Sequence, residues 1–147
     1  MTKVRSADRA IEVSCDPWDE SIVEIDPSQV ESALVNLSFN AVDATPDGGK
    51  IAFRNKAEDL VLSIEVENSG SAIADAHMLR IFEPFFTTKS NGTGLGLAIA
   101  RGVARSHGGD LWVSKNQNGA VTFTMTLPVG ANQSGNEEAA YGQSIDR

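Results

Sequence analysis

The strongest local signal in this 147-residue chain is a single long helix in its first third. Asp26 is a residue type that caps helices, and Pro27 fits the first helical position. Gln29 stands three residues after the cap, as in a capping box. The apolar positions that recur at helical spacing are Val30, Leu34, Leu37, Ala41 and Ala44. Residues 45–49 are turn formers that end the helix, so the core must form on one apolar face of it.

Alternating apolar and polar residues predict strands on both sides of this helix. The segment 60–67 alternates most regularly, with Leu60, Leu62, Ile64 and Val66 on one face. The other predicted strands are 10–15, 21–25, 50–55, 110–114 and 120–127, and further helices are predicted at 75–81 and 94–107. This order predicts an α+β fold, a two-layer α/β sandwich in which helices cover one face of a mixed sheet.

The composition fits one globular domain with polar ends, because 41% of the residues are hydrophobic and 22% are charged. We predict a flexible N-terminal segment at 1–10, a single domain at 11–128 and a disordered polar tail at 129–147. The chain shows no apolar run long enough to span a bilayer and no secretory signal peptide. Its one cysteine excludes an internal disulfide. A cytoplasmic domain without membrane insertion is therefore expected, whether or not its parent protein is membrane-anchored.

The formal net charge of −8 at pH 7 argues against nucleic acid as a partner, because nucleic-acid-binding proteins present basic faces. If so acidic a chain binds an anion, backbone amides and a few placed side chains must provide the positive potential. An anion site is therefore expected at a glycine-rich turn or at the start of a helix.

Three polar side chains form a stripe along the long helix. Asn36, Asn40 and Asp43 follow the spacing i, i+4 and i+7, which places them on one side, beside Ala33. Carboxamide and carboxylate oxygens suit Mg²⁺, which often uses one or two protein oxygens together with substrate phosphates. A solvated polar face explains the stripe equally well, so the helix alone leaves both interpretations open.

Glycine marks two further segments. Residues 68–73 follow a strand, and Gly70 permits close backbone approach, although an ordinary turn is the simpler interpretation. Residues 92–97 place three glycines at the start of a helix, where free N–H groups and the helix dipole favour an anion. Lys89 provides a cation between the two segments. At least two of the three aromatic residues before it are expected to pack in the core: Phe82, Phe85 and Phe86.

Taken in order, these segments resemble the catalytic domains of bacterial sensor histidine kinases. Residues 34–45 resemble the N box, 68–73 the G1 box, 82–86 the F box and 92–97 the G2 box of that family. The ending at 107–109 and 123–128 is also similar, so the resemblance covers most of the chain. It implies the Bergerat ATP-binding sandwich, and the short stretch 87–89 is most similar to the nitrogen-regulation and oxygen-sensor subfamily.

The resemblance implies a protein-histidine kinase that binds ATP and Mg²⁺, with Asn40 and Lys89 as catalytic residues. Asn40 would ligate the metal, while Asn36 and Asp43 would support the metal, its waters or the phosphates. Residues 87–93 would form a lid with Lys89 near the terminal phosphates, and Phe82 and Phe85 would anchor its base. The other implied nucleotide-binding residues are Asn68, Gly70, Ala72, Ile73, Thr87, Thr88, Gly92, Thr93, Gly94, Leu95, Gly96 and Leu97.

Two positions depart from the family pattern in the G1 box. Asn68 replaces an aspartate that accepts a hydrogen bond from the adenine amine, and Ala72 replaces a glycine. An asparagine carbonyl accepts the same bond without charge assistance, so the bond is expected to be weaker.

Asn36 stands where the ATP-hydrolysing relatives carry a glutamate base, and an amide cannot take a proton near neutral pH. Transfer to an external acceptor is therefore favoured over hydrolysis.

The family's phosphorylated histidine lies on a dimerising helical hairpin. His77 and His107, the two histidines of this chain, lie in no such predicted hairpin. The expected partners are thus a separate dimerisation domain and, downstream, a response regulator, and the isolated domain is expected to be a monomer. A degenerate nucleotide-binding or protein-docking module without turnover is the alternative, and a serine kinase of the anti-sigma type ranks third.

Overall fold

The computed structural model describes residues 2–6, 9–18 and 24–128. Its strands are β1 (Thr2–Ser6), β2 (Arg9–Cys15), β3 (Lys50–Glu58), β4 (Val61–Asn68), β5 (Asp110–Gln117) and β6 (Ala120–Pro128). Its helices are α1 (Pro27–Ala44), α2 (Asp75–Met78) and α3 (Gly96–Ser106). None of these helices in the described part of the chain is long and apolar enough to cross a membrane.

The six described strands form one sheet in the order β1-β2-β3-β4-β6-β5. The pair β2 and β3 is parallel, and every other neighbouring pair is antiparallel. The helix α1 crosses between the two parallel strands, since parallel strands need a long connection. It packs against β4 and α3, and α3 packs against β5 and β6. The predicted two-layer α/β sandwich with a mixed sheet is confirmed.

The start of α1 is capped from two directions. The carboxylate of Asp26 accepts hydrogen bonds from the amides of Ser28 (3.1 Å) and Gln29 (3.2 Å), and the Gln29 bond is the main cause that lowers the pKa of Asp26. The amide of Asp26 itself donates to Nε2 of His107, which follows α3, at 3.1 Å. Only half of the predicted capping box therefore forms, because His107 takes the place of the Gln29 side chain and joins the two helices.

The core lies between the helices and the sheet. The buried side chains of α1 are Val30, Ala33, Leu37 and Ala41. One predicted core position is wrong, because Ala44 is exposed, whereas Leu34 is half-buried and packs against the core. Ala100 and Ala104 are fully buried on α3, where their small side chains allow the helix to approach the sheet closely. The buried apolar side chains of the sheet are Ile11, Ile51, Leu62, Ile64, Val66, Leu111, Val121, Phe123, Met125 and Leu127.

The hairpin between β3 and β4 is tighter than predicted. Residues 56–58, predicted as a connection, extend β3, so that Glu58 pairs with Val61. The turn consists of Asp59 (φ 51°) and Leu60 (φ 62°), both left-handed. Two positive φ angles are what a two-residue hairpin loop requires. Leu60 is therefore 65% exposed in the turn, and its predicted place on the inner face of the strand is wrong.

The structure also differs from the prediction at its periphery. No strand was expected before residue 10, but Thr2–Ser6 forms an edge strand that pairs antiparallel with β2. In the predicted strand 21–25, residues 21–23 lie outside the described residues, as does the predicted tail 129–147, and residues 24 and 25 are not in a strand. The predicted helix 75–81 shortens to α2, and the helix predicted at 94–107 begins at Gly96.

Asp110 at the start of β5 is expected to stabilise the fold in a pH-dependent way. A hydrogen bond from Arg101 (2.9 Å) is the largest cause that lowers the pKa of Asp110 to about 2. A carboxyl with a depressed folded pKa contributes fully above its unfolded pKa near 4, and the contribution is lost as the pH falls toward 2. Because the side chain is 41% exposed, we expect Asp110→Asn to cost only about 1 kcal/mol at pH 7.

Denaturant unfolding of both proteins between pH 7 and about pH 2.5 measures this contribution. The difference between wild type and Asp110→Asn should narrow below pH 4. A difference that stays constant over the whole range contradicts the assignment of the stabilisation to the ionised carboxylate.

Candidate functional site

A cavity of about 530 Å³ lies between α1, the loop after β4, α2 and the segment that precedes α3. Its size is typical of a site for a small molecule. The predicted site residues that line it are Asn36, Asn40, Asp43, Asn68, Ala72, Ile73, Thr87, Thr88, Lys89, Gly92, Thr93, Gly94, Gly96 and Leu97. Four other predicted residues do not line it, namely Gly70, Phe82, Phe85 and Leu95. Segments far apart in the sequence therefore converge on one cavity.

The polar stripe of α1 borders this cavity. Asn36 and Asn40 are half-buried, and Asp43 is exposed. The side-chain amide of Asn36 donates to the Ser32 carbonyl at 2.8 Å, which leaves its Oδ1 directed elsewhere. A Cβ placed on Gly96 would lie only 3.1 Å from that Oδ1, so Asn36 faces the first turn of α3. The stripe and the start of α3 thus share one end of the cavity.

The oxygen atoms of the stripe suit a cation that arrives together with its ligand. No group of three or more His, Cys, Asp and Glu side chains that could hold a metal occurs among the described residues. Asn40 and Asp43 offer hard oxygen ligands from successive turns of α1. Mg²⁺ often takes one or two protein oxygens and completes its shell with phosphates and water. The residues present therefore fit a phosphate-bound Mg²⁺ rather than a preformed metal cage.

The loop after β4 forms another part of the cavity wall. Asn68, the last residue of β4, is 2% exposed and donates from Nδ2 to the Ser69 carbonyl at 3.1 Å. Because a carbonyl can only accept, this bond fixes the orientation of the amide and leaves Oδ1 as the acceptor. Gly70 lies behind the cavity wall, where a Cβ would meet the carbonyl oxygen of Ala44 at 2.6 Å. Gly70 therefore positions the loop against the end of α1.

The segment before α3 forms a further part of the cavity wall and is joined to α1. Nζ of Lys89 forms an ion pair with Oδ2 of Asp43 at 2.9 Å, which joins the segment to α1. The hydroxyl of Thr87 accepts a hydrogen bond from the Lys89 amide at 3.1 Å. A Cβ on Gly92 would lie 2.5 Å from the same hydroxyl, so the segment folds tightly on itself. The cation predicted near the site is thus held at the cavity by Asp43.

The base of this segment is held by the backbone of Phe85 rather than by its side chain. Phe85 has a positive φ of 70°, and its amide donates to the Gly94 carbonyl at 2.9 Å. The left-handed backbone turns the ring outward, where it is 75% exposed. The prediction that the Phe85 side chain anchors the lid is therefore wrong.

Phe82 and Phe86 provide the aromatic packing instead. Phe82 makes an edge-to-face contact with Phe123 of β6, with centroids 6.3 Å apart, and the guanidinium of Arg101 lies 4.6 Å from its ring centre. Phe86 lines the cavity and packs against the ring of His77 at 5.5 Å. Of the three phenylalanines only Phe82 packs against the core, so the expectation that at least two of them do is wrong, and Phe86 rather than Phe85 lines the cavity.

Several lining residues were not predicted. They are Phe39, Ala44, Ser71, Ala74, His77, Ile81, Phe86, Val121 and Phe123. Val121 and Phe123 belong to the alternating pattern of β6, but their place at the cavity follows from pairing with Asn68 and Val66 of β4. No local signal reveals that register, because the two strands are more than 50 residues apart in the sequence.

Comparison with known proteins places the chain in a family. A family model of histidine kinase-, DNA gyrase B- and HSP90-like ATPases matches residues 25–131, which include all the segments that line the cavity. The chain therefore belongs to this family, and the predicted membership is confirmed.

Two curated relatives are bacterial sensor proteins. The chain is similar to sensor protein FixL of Bradyrhizobium diazoefficiens, with 35% identity over 131 residues that cover 87% of this chain and 26% of FixL. It is similar to sensor histidine kinase ZraS of Escherichia coli, with 37% identity over 107 residues that cover 73% of this chain and 23% of ZraS. The chain thus spans about a quarter of the length of these relatives.

Solved structures agree with this assignment. The nucleotide-free catalytic domain of histidine kinase ThkA has a TM-score of 0.73 and 36% identity, covering 81% of this chain and 79% of that one. Histidine kinase ThkA in complex with response regulator TrrA has a TM-score of 0.68 and 33% identity, covering 82% of this chain and 34% of that one. The fold is that of histidine kinase catalytic domains.

Proposed function

We propose that this chain is a catalytic domain that binds Mg-ATP and donates the γ-phosphoryl group to a histidine of a separate dimerisation hairpin. The observation that carries the proposal is the convergence of Asn40, Asn68 and Gly94 on one cavity. These residues come from three distant segments, and together they offer a metal ligand, a hydrogen-bond acceptor and a glycine that lets backbone amides approach a phosphate.

The loop after β4 supports binding of the adenine base. Oδ1 of Asn68 is the free acceptor of a nearly fully buried amide, since Nδ2 already donates to Ser69. A fixed acceptor at that position matches the exocyclic amine of adenine and would oppose the oxygen that guanine carries there. The missing charge of an aspartate makes the bond weaker without changing its direction.

The part of the cavity wall formed by α1 and the start of α3 supports binding of the phosphates. The first turn of α3 presents free backbone N–H groups, and the helix dipole adds positive potential there. This local potential is needed because the chain as a whole has a net charge of −8. Asn40 and Asp43 would hold the Mg²⁺, which would neutralise phosphate charge. Lys89, which lines the cavity and pairs with Asp43, would exchange this partner for a terminal phosphate.

In the proposed transfer, the bond between the γ-phosphorus and the β,γ-bridging oxygen breaks, and a bond to an imidazole nitrogen forms. ADP leaves with the bridging oxygen, and the imidazole loses a proton to solvent. Catalysis then depends mainly on positioning and charge neutralisation, which this site offers. Asn36 offers no base for water, because its amide is already bound to Ser32 and cannot be protonated near pH 7, so hydrolysis is disfavoured.

The proposed partners lie outside these 147 residues. His107 uses both ring nitrogens to bond Asp26 and Val103, which leaves it unsuited as an acceptor. A dimerisation hairpin would supply the acceptor histidine, and a response regulator would follow, as the complex of ThkA with TrrA suggests by similarity. A monomeric domain in the cytoplasm remains our proposal for its state and location.

Incubation of the chain with labelled ATP, Mg²⁺ and a purified dimerisation hairpin from a similar kinase tests the proposal. We expect label on the hairpin and none on this chain. Asn40→Ala is expected to lower the transfer rate about tenfold or more, because a metal ligand is lost. A label that appears without Mg²⁺, or is unchanged in Asn40→Ala, contradicts the proposed role of Asn40.

The second candidate is a nucleotide-binding or docking module without turnover. It is favoured by Asn68 and by Ala72, whose methyl group lies at the cavity in place of a hydrogen. Such a module would transfer no label to any hairpin, whether or not it binds Mg-ATP, so the same experiment separates the two candidates.

A further inference from the structure

We infer that Asn116, near the end of β5 in the hairpin that β5 forms with β6, is a positioning residue for the nucleotide base. It holds the loop after β4 in the shape that lines the base end of the cavity. The inference rests on the proposed ATP-binding function. It concerns a residue that touches the loop and does not line the cavity itself.

The loop after β4 leaves the sheet at a defined point. Asn68 pairs with Val121 at the end of the β4–β6 ladder, and Asn116 pairs with the same Val121 from β5. Just beyond Asn68, the Ser69 amide still donates to the Lys50 carbonyl of β3 at 2.9 Å, but residues 70–73 form no ladder with a strand. The hairpin end beyond Val121 therefore stands next to the loop and is able to bond it with side chains.

Asn116 binds the loop as a neighbouring peptide group would. The amide of Ile73 donates to Oδ1 of Asn116 at 2.7 Å, and Nδ2 of Asn116 donates to the Ile73 carbonyl at 2.9 Å. This pair of bonds satisfies both backbone polar groups of Ile73 and fixes the orientation of the side-chain amide. Only a side chain with a donor and an acceptor on one planar group can form both bonds.

Two further bonds hold the loop on the same side. The amide of Ala72 donates to Oδ1 of Asn118 at 3.1 Å, and the amide of Gly119 donates to the Gly70 carbonyl at 2.7 Å. On the opposite side, Gly70 lies against the end of α1, where a Cβ would meet a carbonyl oxygen at 2.6 Å. The loop is thus clamped between the helix and the hairpin.

The clamp acts on the surface that would receive the base. Ala72 and Ile73 line the cavity beside Asn68, whereas the phosphate end is built from α1 and the start of α3. Without Asn116, the backbone N–H and C=O of Ile73 lose their partners, and the loop is free to shift. A displacement of about one ångström is enough to weaken binding strongly at a fitted site. The effect should fall on nucleotide binding and not on the transfer step.

The test compares Asn116→Ala with wild type in transfer from ATP to a purified dimerisation hairpin. We expect the KM for ATP and the calorimetric Kd for Mg-ATP to rise about tenfold, with kcat within about threefold of wild type. Asn116→Asp should behave like Asn116→Ala, because its carboxylate places an oxygen against the Ile73 carbonyl. The exposed neighbour Gln117→Ala is the matched control and should match wild type.

Three outcomes overturn the inference while wild type still binds Mg-ATP. One is a Kd of Asn116→Ala within about twofold of wild type. Another is a kcat of Asn116→Ala that falls while its KM stays at the wild-type value, which would indicate only a loss of folded protein. The third is a failure of both Asn116 variants to fold, which would assign the residue to stability alone. If wild type itself binds no Mg-ATP, the proposed function fails and the inference fails with it.

Discussion

Replacing Gly94 by alanine (Gly94→Ala) is expected to lower the affinity for Mg-ATP about 100-fold, or by about 2.7 kcal/mol, in a domain that stays folded. Gly94 has a φ of 70°, and a Cβ there would lie 2.4 Å from the carbonyl carbon of Phe85. The obstacle is backbone, so no side-chain rotation relieves it. The 2.9 Å bond from the Phe85 amide to the Gly94 carbonyl would have to break, and the segment over the cavity would move.

Gly102→Ala is the matched control for this prediction. Gly102 lies within α3, and a Cβ there would meet nothing within 4 Å. Alanine in a helix interior is favoured over glycine by about 1 kcal/mol, so this variant should be slightly more stable than wild type and bind Mg-ATP equally well. Isothermal calorimetry of all three proteins measures the effect, and wild-type affinity in Gly94→Ala contradicts the account of the lid base.

Gly109→Ala is expected to destabilise the fold by more than about 3 kcal/mol, a large part of the stability of a typical domain. A Cβ at Gly109 would lie 1.7 Å from the carbonyl oxygen of Thr126, which belongs to the neighbouring strand β6. The amide of Gly109 also donates to the Ala104 carbonyl at 2.9 Å and so ends α3. To make room for the Cβ, the turn from α3 into β5 would have to move away from both α3 and β6.

Gly108→Ala separates this effect from the ordinary cost of replacing glycine. Gly108 has a φ of 85°, but a Cβ there would meet only a side-chain atom of Pro128, at 3.7 Å. We expect a loss of about 1 kcal/mol, from the left-handed backbone alone. Urea unfolding of both variants gives the comparison. Equal losses of unfolding free energy in Gly108→Ala and Gly109→Ala would contradict the claim that the close contact with Thr126 causes the destabilisation.

Local signals predicted the parts of the fold that depend on neighbours in the sequence. Asp26 and Pro27 mark the start of α1 because a cap acts on amides two or three residues away. The turn at Asp59 and Leu60 carries no such signal, since neither residue is a glycine. The predicted strand before it therefore ended too early, at residue 55 instead of Glu58. The register of β6 against β4, which puts Val121 beside Asn68, arises only from the assembled sheet.

In the candidate site too, the residues related by local spacing were predicted, and those brought together only by the folded chain were not. Asn36, Asn40 and Asp43 were predicted together because helical spacing alone brings them to one side. The exchange of Phe85 for Phe86 was not predictable, because an irregular segment has no period that tells which ring points inward. Asn116 and Asn118 resemble ordinary turn residues, and their partners Ile73 and Ala72 lie more than 40 residues away.

Calorimetric titration of the wild-type chain with Mg-ATP tests the central claim most directly. We predict saturable binding with a Kd in the micromolar range, about −8 kcal/mol, with Asn68 as the acceptor for adenine. The same titration of Asn40→Ala should show most of that affinity lost. A folded wild-type chain that shows no detectable binding of Mg-ATP would contradict the claim that this cavity holds the nucleotide.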